Sequence, residues 1–173
     1  MRPWPRRGRS APNCGRRVPS RRHHEHGAAA VEFALVVPIF LALLFGIISY
    51  GMMLSLRQGI SQATAEGARV YAVSPAGTPG ADVRTAARQA INDAISSYGV
   101  SCSGGGTLVK DGAAVGTCTI PDEPVACSGG PGRCATVKIV YNYRANPLVP
   151  SFPGLGVTMP EALQFQTTVR TNS

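Results

Sequence analysis

The sequence predicts an α+β protein: a long N-terminal helix that crosses a membrane, a short second helix, and a small antiparallel β-sheet outside the membrane. Three observations predict it. The run FALVVPIFLALLFGIISYGMMLSL, Phe33 to Leu56, carries no charge and is longer than the ~20 residues an α-helix needs to cross the hydrocarbon core. Val83, Ala87, Ala90, Ile91, Ala94 and Ile95 recur at helical spacing within residues 81–98. The segments TVKIVYNYR and LQFQTTVR alternate, Val137, Ile139, Tyr141 and Tyr143 on one face and Leu163, Phe165, Thr167 and Val169 on another, as strands with one covered face do.

The apolar run gives a transmembrane part at about residues 33–56. Helical pattern continues through RQGISQATAEGARVYAV to Val73, where Ser74-Pro75 ends it, because proline disfavours the helical conformation of the residue before it. Counted from Ala28, such a helix is about 65–70 Å long at ~1.5 Å per residue, so it outreaches a bilayer and is expected to protrude. Pro38 lies inside it and removes one backbone hydrogen bond. Residues 74–80 form a linker, and residues 81–173 an exported α+β domain. Its extended segments are expected at 106–109, 115–120, 136–144 and 163–170, separated by turn residues.

Charge is concentrated before the helix. Residues 1–26 hold eight arginines, Arg2, Arg6, Arg7, Arg9, Arg16, Arg17, Arg21 and Arg22, against Glu25, and so account for +7 of the formal net charge of +8. A nucleic-acid footprint would be confined to this Arg-, Pro- and Ser-rich tail, which has almost nothing to bury, so no nucleic-acid partner is expected for the mature form. The positive-inside rule instead puts the N-terminus in the cytoplasm and the C-terminal domain outside a cytoplasmic membrane.

The informative junction is RRHHEHGAAAVEFALVVP. Glu32 is a carboxylate at the head of an apolar span, where charge is costly and usually has a use. If a peptidase cuts after Gly27, Ala28 becomes the first mature residue and Glu32 the fifth, on the same helix face. The new α-amino group, protonated at neutral pH, can meet Glu32 of a neighbouring subunit and fix its axial register, since each charge needs a partner in lipid.

Gly27, Glu32 and Phe33 resemble a prepilin peptidase site, glycine before the cut and a Glu-aromatic pair after it. The run Gly27 to Ala72 resembles the TadE-like pseudopilins of the tight-adherence (Tad/Flp) pilus machinery: a VEFAL…P opening, an apolar core, an Arg-Gln pair, and A-E-G-A-R at Ala65 to Arg69. The resemblance implies a basic prepilin-type leader at 1–27 and a TadE-like helix at 28–73. It also implies processing by a membrane aspartyl prepilin peptidase, and partnership with other pilin or pseudopilin subunits and pilus assembly proteins. The leader is longer than this type needs, and Val18 is an alternative start.

Other signals fit less well. A type I secretory signal has a shorter apolar region with a prompt small-residue site, and Ala63-Thr64-Ala65 comes too late. Arg21-Arg22 is followed by histidines and not by an apolar start, and no lipobox cysteine ends the apolar run. A signal-anchored exported binding module that keeps its N-terminus stays as the alternative.

Small residues at every fourth position, Gly51, Ser55, Gly59, Ala63 and Gly67, draw a groove suited to close helix packing. The partner could be another copy, a major pilin or a second TadE-like protein. Cys102, Cys118, Cys127 and Cys134 suit an oxidising compartment, with spacings unlike a C-x-x-C zinc pattern. Of the three connectivities, pairing neighbours, 102 with 118 and 127 with 134, closes local loops. Cys14 stands alone in the leader.

No catalytic residue, cofactor or metal is expected. His23, His24 and His26 are the protein's histidines and all precede the cut, which removes the commonest general base from the mature chain. They lack an ordered further ligand or supporting shell. No G-x-S-x-G, H-E-x-x-H or phosphate-binding loop occurs. Asp122 and Glu123 sit between prolines as solvated loop residues, and Gly104-Gly105-Gly106 lacks the lysine and helix of a phosphate cradle.

Overall fold

A computed structural model of the protein describes residues 25–149 and 159–171. The leader arginines, Cys14, Val18, His23 and His24 lie outside the described residues, as does the side chain of His26. Two compact units are present, Met1–Phe40 and Leu41–Ser173. The described part of the first is helical throughout, with Pro38 inside it.

Helix α1 spans Glu25–Val73. It stops where Ser74-Pro75 demands, and the Ser74 amide and hydroxyl both donate to the Val70 carbonyl, satisfying an acceptor that the helix end leaves open. Helix α2, Gly80–Ile95, follows Pro79, whose carbonyl accepts from the amides of Asp82 and Val83. A 3-10 turn at Ser96–Tyr98 ends on Gly99 at φ +68°, a left-handed conformation that costs glycine nothing. The stretch expected to be helical to Tyr98 therefore tightens over its last turn.

Among the described residues six antiparallel strands follow: β1 Val100–Cys102, β2 Thr107–Lys110, β3 Ala113–Thr119, β4 Val125–Ala126, β5 Arg133–Tyr141 and β6 Leu163–Thr171. Strand β5 pairs with β3 over Lys138 to Tyr141 and with β4 over Arg133 and Cys134, while β6 pairs with it along its whole length. The first three strands form a meander. Asp111 and Gly112, at φ +51° and +80°, make the two-residue turn between β2 and β3, as Asp-Gly does when both central residues need positive φ. Strands β1 and β4 were not expected from the sequence. They are three and two residues long, too short for alternation to register.

The core lies in the second unit. It joins one face of α1 (Met53, Leu56, Ile60, Ala63, Ala68, Tyr71) and the α2 face Val83, Ala87, Ile91 and Ile95 to the sheet residues Leu108, Val115, Ala135, Val137, Ile139 and Tyr141. The alternation of β5 thus becomes one buried face, as its sequence predicts. The β6 residues Phe165 and Val169 pack against the same cluster, half-buried.

Candidate functional site

The expected processing residues sit on the open part of α1. Gly27, Ala28, Glu32 and Phe33 are all exposed, and nothing approaches within 4 Å of the place where a Gly27 side chain would project. Ala28 and Glu32, four residues apart in one helix, share a face. Beyond them Val36, Ile39, Phe40, Leu43 and Ile47 are each more than half exposed. Among the described residues this is the one helix long and apolar enough to cross a membrane, and none of its most apolar window, of mean hydropathy 2.7, is buried. Apolar surface on this scale needs a lipid or protein partner.

The character of α1 changes at Ser49. From there Ser49, Met53, Leu56, Ile60, Ala63 with Thr64, Gly67 with Ala68, and Tyr71 are buried, recurring every three to four residues as one helical face. Ser49 is 2% exposed and its hydroxyl has no hydrogen-bond partner. Thr64 is equally buried but satisfied: its hydroxyl donates to the Ser61 carbonyl at 2.8 Å and accepts from Thr167 of β6 at 3.1 Å. Arg57 lies over the Phe165 ring, 5.7 Å from its centroid.

The small-residue groove is filled from within the same chain. The Tyr98 hydroxyl donates to the Ser55 carbonyl at 2.8 Å and lies 2.9 Å from the Ser55 hydroxyl. Its one proton being committed, the serine is the donor in the second bond. A side-chain carbon on Gly59 would stand 2.6 Å from the Tyr98 ring, and one on Gly67 2.7 Å from the Ile91 side chain. Ala63 is fully buried. Gly51 has nothing within 4 Å. The sequence suggested a separate subunit as the groove's occupant; for Ser55, Gly59 and Gly67 it is α2 and the 3-10 turn after it. A periodicity of small residues shows that something comes close, but not which chain it belongs to.

In the A-E-G-A-R segment, Gly67 and Ala68 face inward while Glu66 and Arg69 stay exposed, 3.6 Å apart as an i,i+3 pair. The buried half of this motif is packing, and its charged half is open surface.

Two disulfides tie the sheet, Cys102–Cys118 and Cys127–Cys134. The first is buried and links β1 to β3 past the end of β2, beside the Cys118 amide's bond to the Gly106 carbonyl. The second joins β5 to the residue after β4. Such bonds persist in exported compartments.

Among the described residues no group of three or more His, Cys, Asp or Glu comes together to hold a metal. Among the described residues Tyr71 is the one strongly perturbed group. Its hydroxyl donates to the Pro121 carbonyl, and burial pushes its pKa up to about 12, with Arg84 lowering it and Asp122 raising it by smaller amounts. That tyrosine stays neutral and joins the end of α1 to the loop before β4. Arg84 pairs with Asp122 in the same place. Burial also raises Tyr141 and Tyr143, structural residues of the core.

The family model described as TadE-like protein matches residues 27–69. The match opens at the glycine of the expected cut and closes on the arginine of A-E-G-A-R. No curated protein and no solved structure matches the chain.

Proposed function

Starting from a chain whose residues 27–69 are TadE-like, we propose that it is a minor pilin-like subunit of a tight-adherence pilus assembly and secretion machine. A prepilin peptidase removes the basic leader after Gly27. The apolar part of α1 anchors the product in the cytoplasmic membrane, N-terminus inside, and the disulfide-bearing domain stands outside. The observation that carries this reading is the exposed junction Gly27, Ala28, Glu32 and Phe33 at the head of an uncovered apolar helix.

Each part has a physical task. Leader arginines fix topology. Cleavage creates an ammonium at Ala28, and Glu32 of a neighbouring subunit offers it a partner where an unpaired charge is costly. Other pilin or pseudopilin subunits are therefore the partners, together with the peptidase. The protein is a structural component and performs no catalysis.

N-terminal sequencing of the membrane-bound protein tests the reading: Ala28 as first residue in cells with the peptidase, and an uncut chain in cells without it. An intact leader in both would overturn the proposal and favour an uncleaved anchored module. Glu32→Ala should leave insertion and cleavage intact and reduce piliation at least severalfold. Normal piliation would remove Glu32 from the mechanism.

A further inference from the structure

We infer that the bilayer holds residues 28–48 of α1, and that the helix leaves the hydrocarbon at Ser49, about two turns earlier than its apolar run ends at Leu56. This rests on α1 being the membrane anchor and not on its cleavage.

Burial marks the outer limit. From Ser49 onward one face of α1 belongs to the protein core, beginning with Ser49 at 2% and Met53 at 4% exposure. A face covered by protein cannot also face lipid. What accompanies it is not suited to hydrocarbon either. Tyr98 is hydrogen-bonded to Ser55, so the 3-10 turn stands beside that residue, with Ser96 and Ser97 exposed. Lipid-exposed irregular backbone is excluded from the hydrocarbon region because its polar groups have no partner there. Drawing Ser55 into the core would draw this turn toward it.

Length gives the inner limit. The stretch from Ala28 to Ile48 covers about 31 Å at ~1.5 Å per residue, against a hydrocarbon core of ~30 Å. Its side chains are exposed almost throughout. Tyr50, 56% exposed, then falls at the outer interface, where the amphipathic ring of tyrosine is favoured. In the alternative register, 33–56, the same tyrosine would lie in the outer leaflet's interior.

The shift changes the setting of Glu32. With the span at 33–56 it would sit among headgroups, where a carboxylate needs no partner. With the span at 28–48 it lies about 6 Å along the axis from the inner boundary, inside hydrocarbon, where an unpaired charge is expensive. The register therefore supplies the physical reason for pairing Glu32 with an ammonium.

The test places an environment-sensitive fluorophore on single cysteines in the full chain with Cys14→Ser. Leu43→Cys, Met52→Cys, Leu54→Cys and Gln58→Cys all lie on exposed positions of α1. Dilute reconstitution into phosphatidylcholine/phosphatidylglycerol vesicles keeps neighbouring subunits away. Aqueous iodide should quench labels at 52 and 54 to within about twofold of the label at 58, and the label at 43 at least fivefold less. Labels at 52 and 54 that are shielded like the one at 43 would overturn the register. A label at 43 quenched as readily as the one at 58 would overturn the anchor reading itself. Cleavage plays no part in these measurements, so their failure is separate from failure of the processing proposal.

Discussion

Tyr98 holds Ser55 by two hydrogen bonds, at 2.8 and 2.9 Å, with its ring in the space left by the missing side chain of Gly59. One tyrosine thus fixes the approach of the second helical element to α1. Tyr98→Phe should cost about 1 kcal/mol, the usual net value of such bonding. Gly59→Ala gains about 1 kcal/mol of helix propensity but drives a methyl into the ring at 2.6 Å, and overpacking of this kind costs about 1–3 kcal/mol. Denaturant unfolding should therefore show net destabilisation. With Tyr98→Ala in the background, Gly59→Ala should become neutral or stabilising, so a double-mutant cycle isolates the contact.

Gly116 is constrained by backbone. It lies on β3 opposite Tyr141, and a side-chain carbon there would stand 1.9 Å from the Val140 carbonyl oxygen. A carbonyl in the central strand cannot rotate away without breaking the ladder, so Gly116→Ala should cost about 3 kcal/mol or more. Protease sensitivity of the domain after α1 would report it. A variant as resistant as the wild type would show that β3 and β5 separate more easily than this geometry allows.

The two disulfides should contribute unequally. Loop-closure arguments give about 3 kcal/mol for the longer loop, Cys102–Cys118, and about 2.5 kcal/mol for Cys127–Cys134. The first pair is also buried, and replacing both sulfurs leaves a hole in the core. Cys102→Ala/Cys118→Ala should therefore lower the unfolding midpoint more than Cys127→Ala/Cys134→Ala does. The reverse order would mean that the β4–β5 link organises the sheet.

Alkaline pH should unfold the disulfide-bearing domain in a way that depends on Tyr71. Burial raises its folded pKa from 10.0 to about 12, so the folded state prefers the neutral phenol. The resulting stability is fully present below pH 10 and is lost as pH rises from 10 toward 12. Tyr71→Phe should flatten this part of the stability profile, leaving the smaller slope due to Tyr141 and Tyr143, whose pKa values are also raised. An unchanged slope would remove Tyr71 from the alkaline transition. Absorbance titration of the phenolates gives an independent reading.

Much of this architecture is legible in the residues. Ser74-Pro75 ends α1, and Val83, Ala87, Ile91 and Ile95 give α2 its buried stripe. Alternation through Val137, Ile139 and Tyr141 gives β5 its buried face. The Asp111-Gly112 turn carried a readable signal as well, an Asp-Gly pair between extended runs, which would have joined β2 to β3 and moved the start of β3 to Ala113. Strands β1 and β4 carried none.

The residues alone specify α1, α2, β5 and β6 in their order, the apolar helix with its Gly27 to Glu32 junction, and the likeness of the run Gly27 to Ala72 to TadE-like proteins. These depend on local spacing, which survives without knowledge of what packs on what. Tertiary structure alone decided which chain fills the groove of Ser55, Gly59 and Gly67, and where on α1 the protein core begins. Leucine, methionine and isoleucine suit lipid and protein interior equally, so an unbroken apolar run hides the boundary between them. Only the packing that buries Ser49 and Met53, and brings Tyr98 onto Ser55, reveals it.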